Sequence, residues 1–140
     1  MKKLTIMFVS TMVLSFTMSS FSKVDAIEVT VVGKWKYYQE GKKVNKAELL
    51  FSYEHEERCG KDYVEFFEDG KVNDVFYYGT DNCEVSVDSG TWEKEENSII
   101  IDFPYAGKEK AEILLLDTTT LKMKAEVEGK EIIYIYKKMK

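Results

Sequence analysis

From Leu121 to Val127 the chain alternates: Leu121, Met123, Ala125 and Val127 are apolar, and the residues between them, Lys122, Lys124 and Glu126, are charged. A period of two marks a strand with one face buried and the other in water. The same alternation sets Ile99, Ile101 and Phe103 against Asp102, Ile113 and Leu115 against Lys110 and Glu112, and Val64 and Phe66 against Glu65. Short runs of this kind, separated by turn residues, predict eight strands over residues 34–40, 62–68, 71–78, 85–93, 98–103, 110–116, 120–127 and 131–138. Asp69-Gly70 suits the positive φ angles of a tight hairpin, and Glu128-Gly129 opens the last one. The final run, Ile132-Ile133-Tyr134-Ile135-Tyr136, is apolar on both faces, so alternation does not orient it.

Parallel strands need crossovers of a dozen or more residues, so the short connections favour antiparallel neighbours. Eight such strands with one buried face close into an up-and-down β-barrel, which removes their free edges; a two-sheet sandwich is the alternative. The expected class is therefore all-β. One connection is long. Residues 41–61 carry Ala47, Leu49, Leu50, Phe51 and Tyr53 among charged residues. A loop of that length is usually functional or locally folded. It is read either as a short helix lidding one barrel mouth or as a covering segment that buries Leu50 and Phe51.

The start of the chain follows a different pattern. Lys2 and Lys3 precede an apolar stretch from Leu4 to Met18, and Val24-Asp25-Ala26 follows small residues with Val at −3 and Ala at −1. This order predicts a signal peptide over 1–26, with the domain at 27–140 and an exported location, periplasmic or secreted. The apolar stretch is shorter than the ~20 residues of a membrane-spanning helix, so no stable span is expected. Removing 26 residues from 140 leaves 114, enough for one modest core. The whole chain carries −5; the leader's three lysines and one aspartate take +2 with them and leave −7. That balance excludes the electrostatic footprint of a nucleic-acid or anionic-membrane binder.

Two cysteines remain, Cys59 and Cys83. In an exported chain an even count favours a disulfide over metal or redox chemistry. Catalytic patterns are missing: there is no G-x-S-x-G elbow, no H-E-x-x-H and no Gly-rich phosphate loop. The one histidine, His55, lies in Glu54-His55-Glu56-Glu57. Adjacent side chains in a loop seldom converge on one ion, so a solvated acidic stretch explains this run better than a metal site. The reading is a non-enzymatic protein without cofactor or metal.

Gly33-Lys34-Trp35 at the start of the first strand matches the G-x-W pattern of the lipocalins, in which the Trp packs inside the closed end of the barrel. It is followed by Val64-Glu65-Phe66 with Glu68-Asp69-Gly70, Gly90-Thr91-Trp92, Ile99-Ile100-Ile101, Leu115-Leu116-Asp117-Thr118-Thr119-Thr120-Leu121 and Tyr134-Ile135-Tyr136-Lys137-Lys138. Together, in this order, these pieces resemble the small bacterial lipocalin-like domain of exported proteins, over essentially the whole of 27–140. Larger lipocalins stack an Arg from the last strand on the first-strand Trp. The only Arg here, Arg58, lies elsewhere, which leaves Lys137 or Lys138 to cover Trp35 by a cation–π contact. On this barrel, Cys59 precedes the second predicted strand and Cys83 follows the third. Those strands form a hairpin, so both cysteines come to one barrel end.

The resemblance implies an exported carrier holding a small apolar ligand. The expected interior is Trp35, Tyr37, Phe66, Trp92, Ile99, Ile101, Phe103, Ile113, Leu115, Leu121 and Met123. An eight-stranded barrel is just wide enough for packed side chains or one small ligand. The alternative is therefore a filled barrel that serves as a protein-interaction or inhibitor module through residues 41–61.

Overall fold

The computed structural model describes residues 28–140 apart from 57 and 80. The leader expected over 1–26 and its cleavage site lie outside the described residues. Nine strands follow in order: β1 (Gly33–Val44), β2 (Ala47–Ser52), β3 (Tyr63–Phe66), β4 (Lys71–Tyr78), β5 (Glu84–Glu95), β6 (Ser98–Phe103), β7 (Gly107–Leu116), β8 (Thr120–Val127) and β9 (Lys130–Lys138). All neighbours are antiparallel, and β1 pairs with β9 to close the ring. β2 and β3 share one edge of β1: β3 pairs with residues 33–36 and β2 with residues 39–44. Nine strands thus fill eight positions of an antiparallel β-barrel, with the second position broken between Ser52 and Tyr63.

The eight predicted runs correspond to β1 and β3 to β9, whereas β2 falls inside the expected loop. That expectation is corrected here: residues 41–52 continue as strand, turning at Asn45 and Lys46, with Asn45 at φ 58°. Asn tolerates this left-handed conformation better than most residues, which lets a two-residue turn form without glycine.

Gly41 bends this hairpin. A Cβ there would collide with the carbonyl of Leu49, so only glycine allows the strands to fold this sharply. Gly41 pairs with Leu50 on one side and with Ile133 of β9 on the other, all on the outer face. Glu48 on β2 reaches Lys122 of β8 at 2.6 Å, although β1 and β9 lie between them. Three strand steps of ~4.8 Å would separate them by about 14 Å in a flat sheet. The hairpin is therefore turned back over the outside of β9, and Ile133 beneath it is fully buried. This explains why β9 is apolar on both faces.

Inside, Trp35, Phe66, Val72, Ile99 and Leu121 are fully buried and form the core with Val31, Val64, Ala111, Met123, Ala125 and Tyr136. Two bulges reset the alternation. Register slips between Tyr37 and Gln39 in β1 and between Ile113 and Leu115 in β7. The extra residue at Leu114 reverses the faces beyond it. Leu116 pairs with the core residue Leu121, while Leu115 pairs with Lys122 on the outside and is 46% exposed. Leu115, expected in the interior, therefore belongs to the surface.

Candidate functional site

The barrel's two ends differ in their chemistry. At one end Trp35 forms the floor, its Nε1 donating to the Val31 carbonyl at 2.6 Å. Lys138 lies over the indole, its Nζ 4.3 Å from the ring centroid, and donates to the Val32 carbonyl. A side chain at Gly33 would crowd that ammonium, and the φ of 121° there itself favours glycine. Burial lowers the pKa of Lys138. Nearby, Phe66 meets Trp92 edge-on with centroids 5.4 Å apart, and Trp92 Nε1 donates to the Phe67 carbonyl at 2.9 Å.

At the other end the barrel is not filled. A cavity of about 170 Å3 lies between β1, β3, β4, β6, β7, β8 and β9. Its walls are Val64, Phe66, Ile101, Phe103, Ala111 and Met123, with the rings of Tyr37, Tyr134 and Tyr136. Two carboxyl groups complete it, those of Asp74 and Glu109, and none of the described lining residues is basic. The Tyr37 hydroxyl donates to both Asp74 oxygens, at 2.9 and 3.0 Å. Burial pushes the Asp74 carboxyl up to about 7; the Tyr37 hydroxyl opposes this, and the negative charges of Asp88 and Asp62 add to it. Burial likewise raises Tyr37, with Tyr136 and Asp74 contributing, so the phenol stays protonated and donating. Tyr136 and Tyr134 are raised by burial and then by the surrounding carboxylates. Tyr134 also borders an outer groove of about 480 Å3 with Glu40, Lys42, Phe51, Val127 and Ile132.

The broken second position is bridged by residues 53–62. Asp62 is buried and makes four bonds there. Its Oδ1 accepts from the Tyr77 N–H at 2.8 Å and its Oδ2 from the Tyr53 hydroxyl at 2.7 Å. Its carbonyl accepts from the Tyr37 N–H at 3.2 Å, and its own N–H donates to His55 Nδ1 at 3.0 Å. Since Nδ1 accepts, Nε2 is the protonated nitrogen and donates to the Tyr37 carbonyl at 2.8 Å. Both ring nitrogens of His55 thus substitute for missing ladder bonds. Among the described residues no group of three or more His, Cys, Asp or Glu is arranged to hold a metal. The bridge is fastened to the next hairpin by the Cys59–Cys83 disulfide, with Cα atoms 5.1 Å apart.

Of the eleven residues expected inside, Trp35, Phe66, Ile99, Leu121 and Met123 are buried in the core, and Tyr37, Trp92, Ile101, Phe103 and Ile113 pack half-buried against it. Tyr37, Phe66, Ile101, Phe103 and Met123 line the cavity, and Leu115 is outside. Six lining residues were not among those expected: Val64, Asp74, Glu109, Ala111, Tyr134 and Tyr136. The signal was present for the acids. Asp74 lies in step with Val72 and Phe76, and Glu109 with Ala111 and Ile113, so each is a charge at an inward position of an alternating strand.

The family model described as "Lipocalin-like domain" matches residues 31–123. The chain belongs to this family. The lipocalin-like domain is similar in structure to a lipocalin-like protein from Bacteroides uniformis, with 15% identity and a TM-score of 0.57 over 77% of this chain and 97% of that one. It is also similar to an uncharacterized protein from Bacteroides eggerthii, at 13% identity and TM-score 0.53, covering 77% and 98% of the two chains. At these identities the likeness of the lipocalin-like domain is one of fold. No curated protein matches it.

Proposed function

We propose that this lipocalin-like domain is an exported binding protein that holds a small, largely apolar ligand in the open half of its barrel. The observation that carries this reading is the cavity walled by Phe66, Ile101, Phe103, Met123 and Tyr134, the last of which also borders the outer groove. Its volume lies below the ~300–1,000 Å3 of drug-sized pockets, which favours a compact ligand. The Cys59–Cys83 bond and the leader pattern support export, since such bonds persist in oxidising compartments. The test is NMR titration with 2-phenylethanol, a neutral probe of fitting size. Shifts are expected at the Met123 methyl and the Tyr134 ring. Phe103→Trp should abolish them by filling the cavity, while Leu115→Trp on the outer face leaves them unchanged. Probe binding that survives Phe103→Trp and is lost in Leu115→Trp would refute the reading.

A second reading, protein interaction through residues 41–61, is favoured by the hairpin itself. Among the described residues β2 pairs only with β1, and Leu49 and Phe51 stand exposed on it, Phe51 at 62%. A free edge of this kind can accept a partner strand. Loss of a co-purifying protein on Phe51→Glu, with 2-phenylethanol binding intact, would favour it.

A further inference from the structure

Resting on the cavity as a ligand site, we infer that the ligand is a small amine whose protonated nitrogen sits between Asp74 and Glu109 and whose compact apolar body fills the space below.

Three observations lead there. Among the described residues, the only charged groups lining the cavity are the carboxyls of Asp74 and Glu109. Tyr37 supplies one hydroxyl hydrogen, shared between the two Asp74 oxygens at 2.9 and 3.0 Å. A carboxylate has about four lone-pair sites, so acceptor capacity is left over on the cavity side. An ammonium brings three donors and the missing positive charge, and charge-assisted bonds of this kind are the strong ones.

The walls fit the same group. Tyr37 and Tyr136 lie with ring centroids 5.0 Å apart and Tyr134 and Tyr136 at 6.3 Å, so three phenol rings border the space next to the carboxylates. Aromatic faces attract a desolvated cation. Farther in, Phe66, Ile101 and Met123 offer only apolar surface. With one water occupying about 30 Å3 of liquid, 170 Å3 holds roughly six water-sized units, the scale of a ring with a short arm.

The arrangement also selects against the opposite charge. Asp88 pairs with Asp74 across β4 and β5 on the same face, and Glu40 stands in the groove above. Among the described residues Lys42 is the one basic residue at that groove, set outside the cavity lining. A ligand carboxylate entering here would meet like charges at each step, and such repulsion excludes wrong partners.

Calorimetric titration at pH 8 with 2-phenylethylamine, 2-phenylethanol and phenylacetate compares a cation, a neutral molecule and an anion of nearly equal shape. The amine is expected to bind at least about tenfold more tightly than the alcohol, and phenylacetate not measurably. Asp74→Asn should bring the amine to within about threefold of the alcohol without weakening the alcohol; Glu109→Gln should lower the ratio by a smaller factor. Alcohol binding equal to amine binding would overturn the inference and leave the cavity reading standing. So would an unchanged ratio in Asp74→Asn or, should that variant not fold, in Glu109→Gln. Binding of none of the three probes would overturn both.

Discussion

At the closed end of the barrel Trp35 is fully buried, its indole N–H satisfied and its face covered by Lys138. At the open end Tyr134 borders empty space on two sides, and the half-buried acid Asp74 is bonded to one phenol. The same strands run through both ends. What differs is side-chain volume and polarity: the floor is made of fully buried apolar side chains, while the mouth trades packing for a cavity and carboxyl groups. Packing that contributes most to stability is thus concentrated away from the surface that would meet a ligand.

This contrast makes a direct prediction. Trp35→Ala should cost about 3–5 kcal/mol in urea unfolding, as large-to-small changes in full cores do, whereas Tyr134→Ala should cost well under half of that. Equal costs would break the contrast. The disulfide comes next. Replacing Cys59 and Cys83, 24 residues apart, with serine should cost about 3 kcal/mol by loop-closure entropy. Amide exchange should rise at residues 53–62 and stay unchanged around Trp35.

The acid at the mouth should show in the pH dependence. Asp74 titrates at about 7 in the folded protein against 3.8 for an unperturbed side chain. Between those values the folded state keeps a proton that the unfolded chain has lost, so this group's stabilisation in acid disappears as pH rises through 7. A shift of that size bounds the loss at about 4 kcal/mol, and water at the open end reduces it. Stability measured from pH 4.5 to 8 should fall more in the wild type than in Asp74→Asn; parallel curves would refute the assignment. The smallest effect is expected at the floor cation, where Lys138→Met should cost about 1 kcal/mol or less, read as a small drop in Tm.

The sequence made the closed end more legible than the open one. Gly33-Lys34-Trp35 and the strict alternation of β8 identify the floor, because a packed interior imposes its period on every strand that crosses it. Leu115 escaped because a bulge leaves no mark on composition: Ile113, Leu114, Leu115 and Leu116 are all apolar, and the register alone decides which face inward. β2 escaped because Asn45 turns the chain without glycine, and Gly41, which looks like the start of a loop, is a bend within a strand. Tyr134 and Tyr136 were hidden by the doubly apolar β9, whose outer face is covered by that same hairpin. Asp74 and Glu109 stand in the alternation as exceptions to it, charges at positions where the period calls for apolar side chains.

The pairing of β1 with β9 has a consequence for how the molecule comes into being. Trp35 lies opposite Lys138 and Lys42 opposite Ile132, so the first strand finds its second neighbour only among the last residues of the chain. Contacts that span the whole barrel carry the largest loop-closure cost and slow the folding rate. Until β9 is available, β1 and β8 both present open hydrogen-bonding edges, a state prone to pairing with other chains. Pairing of the nine-residue β9 with β8 and β1 is therefore what removes both edges at once.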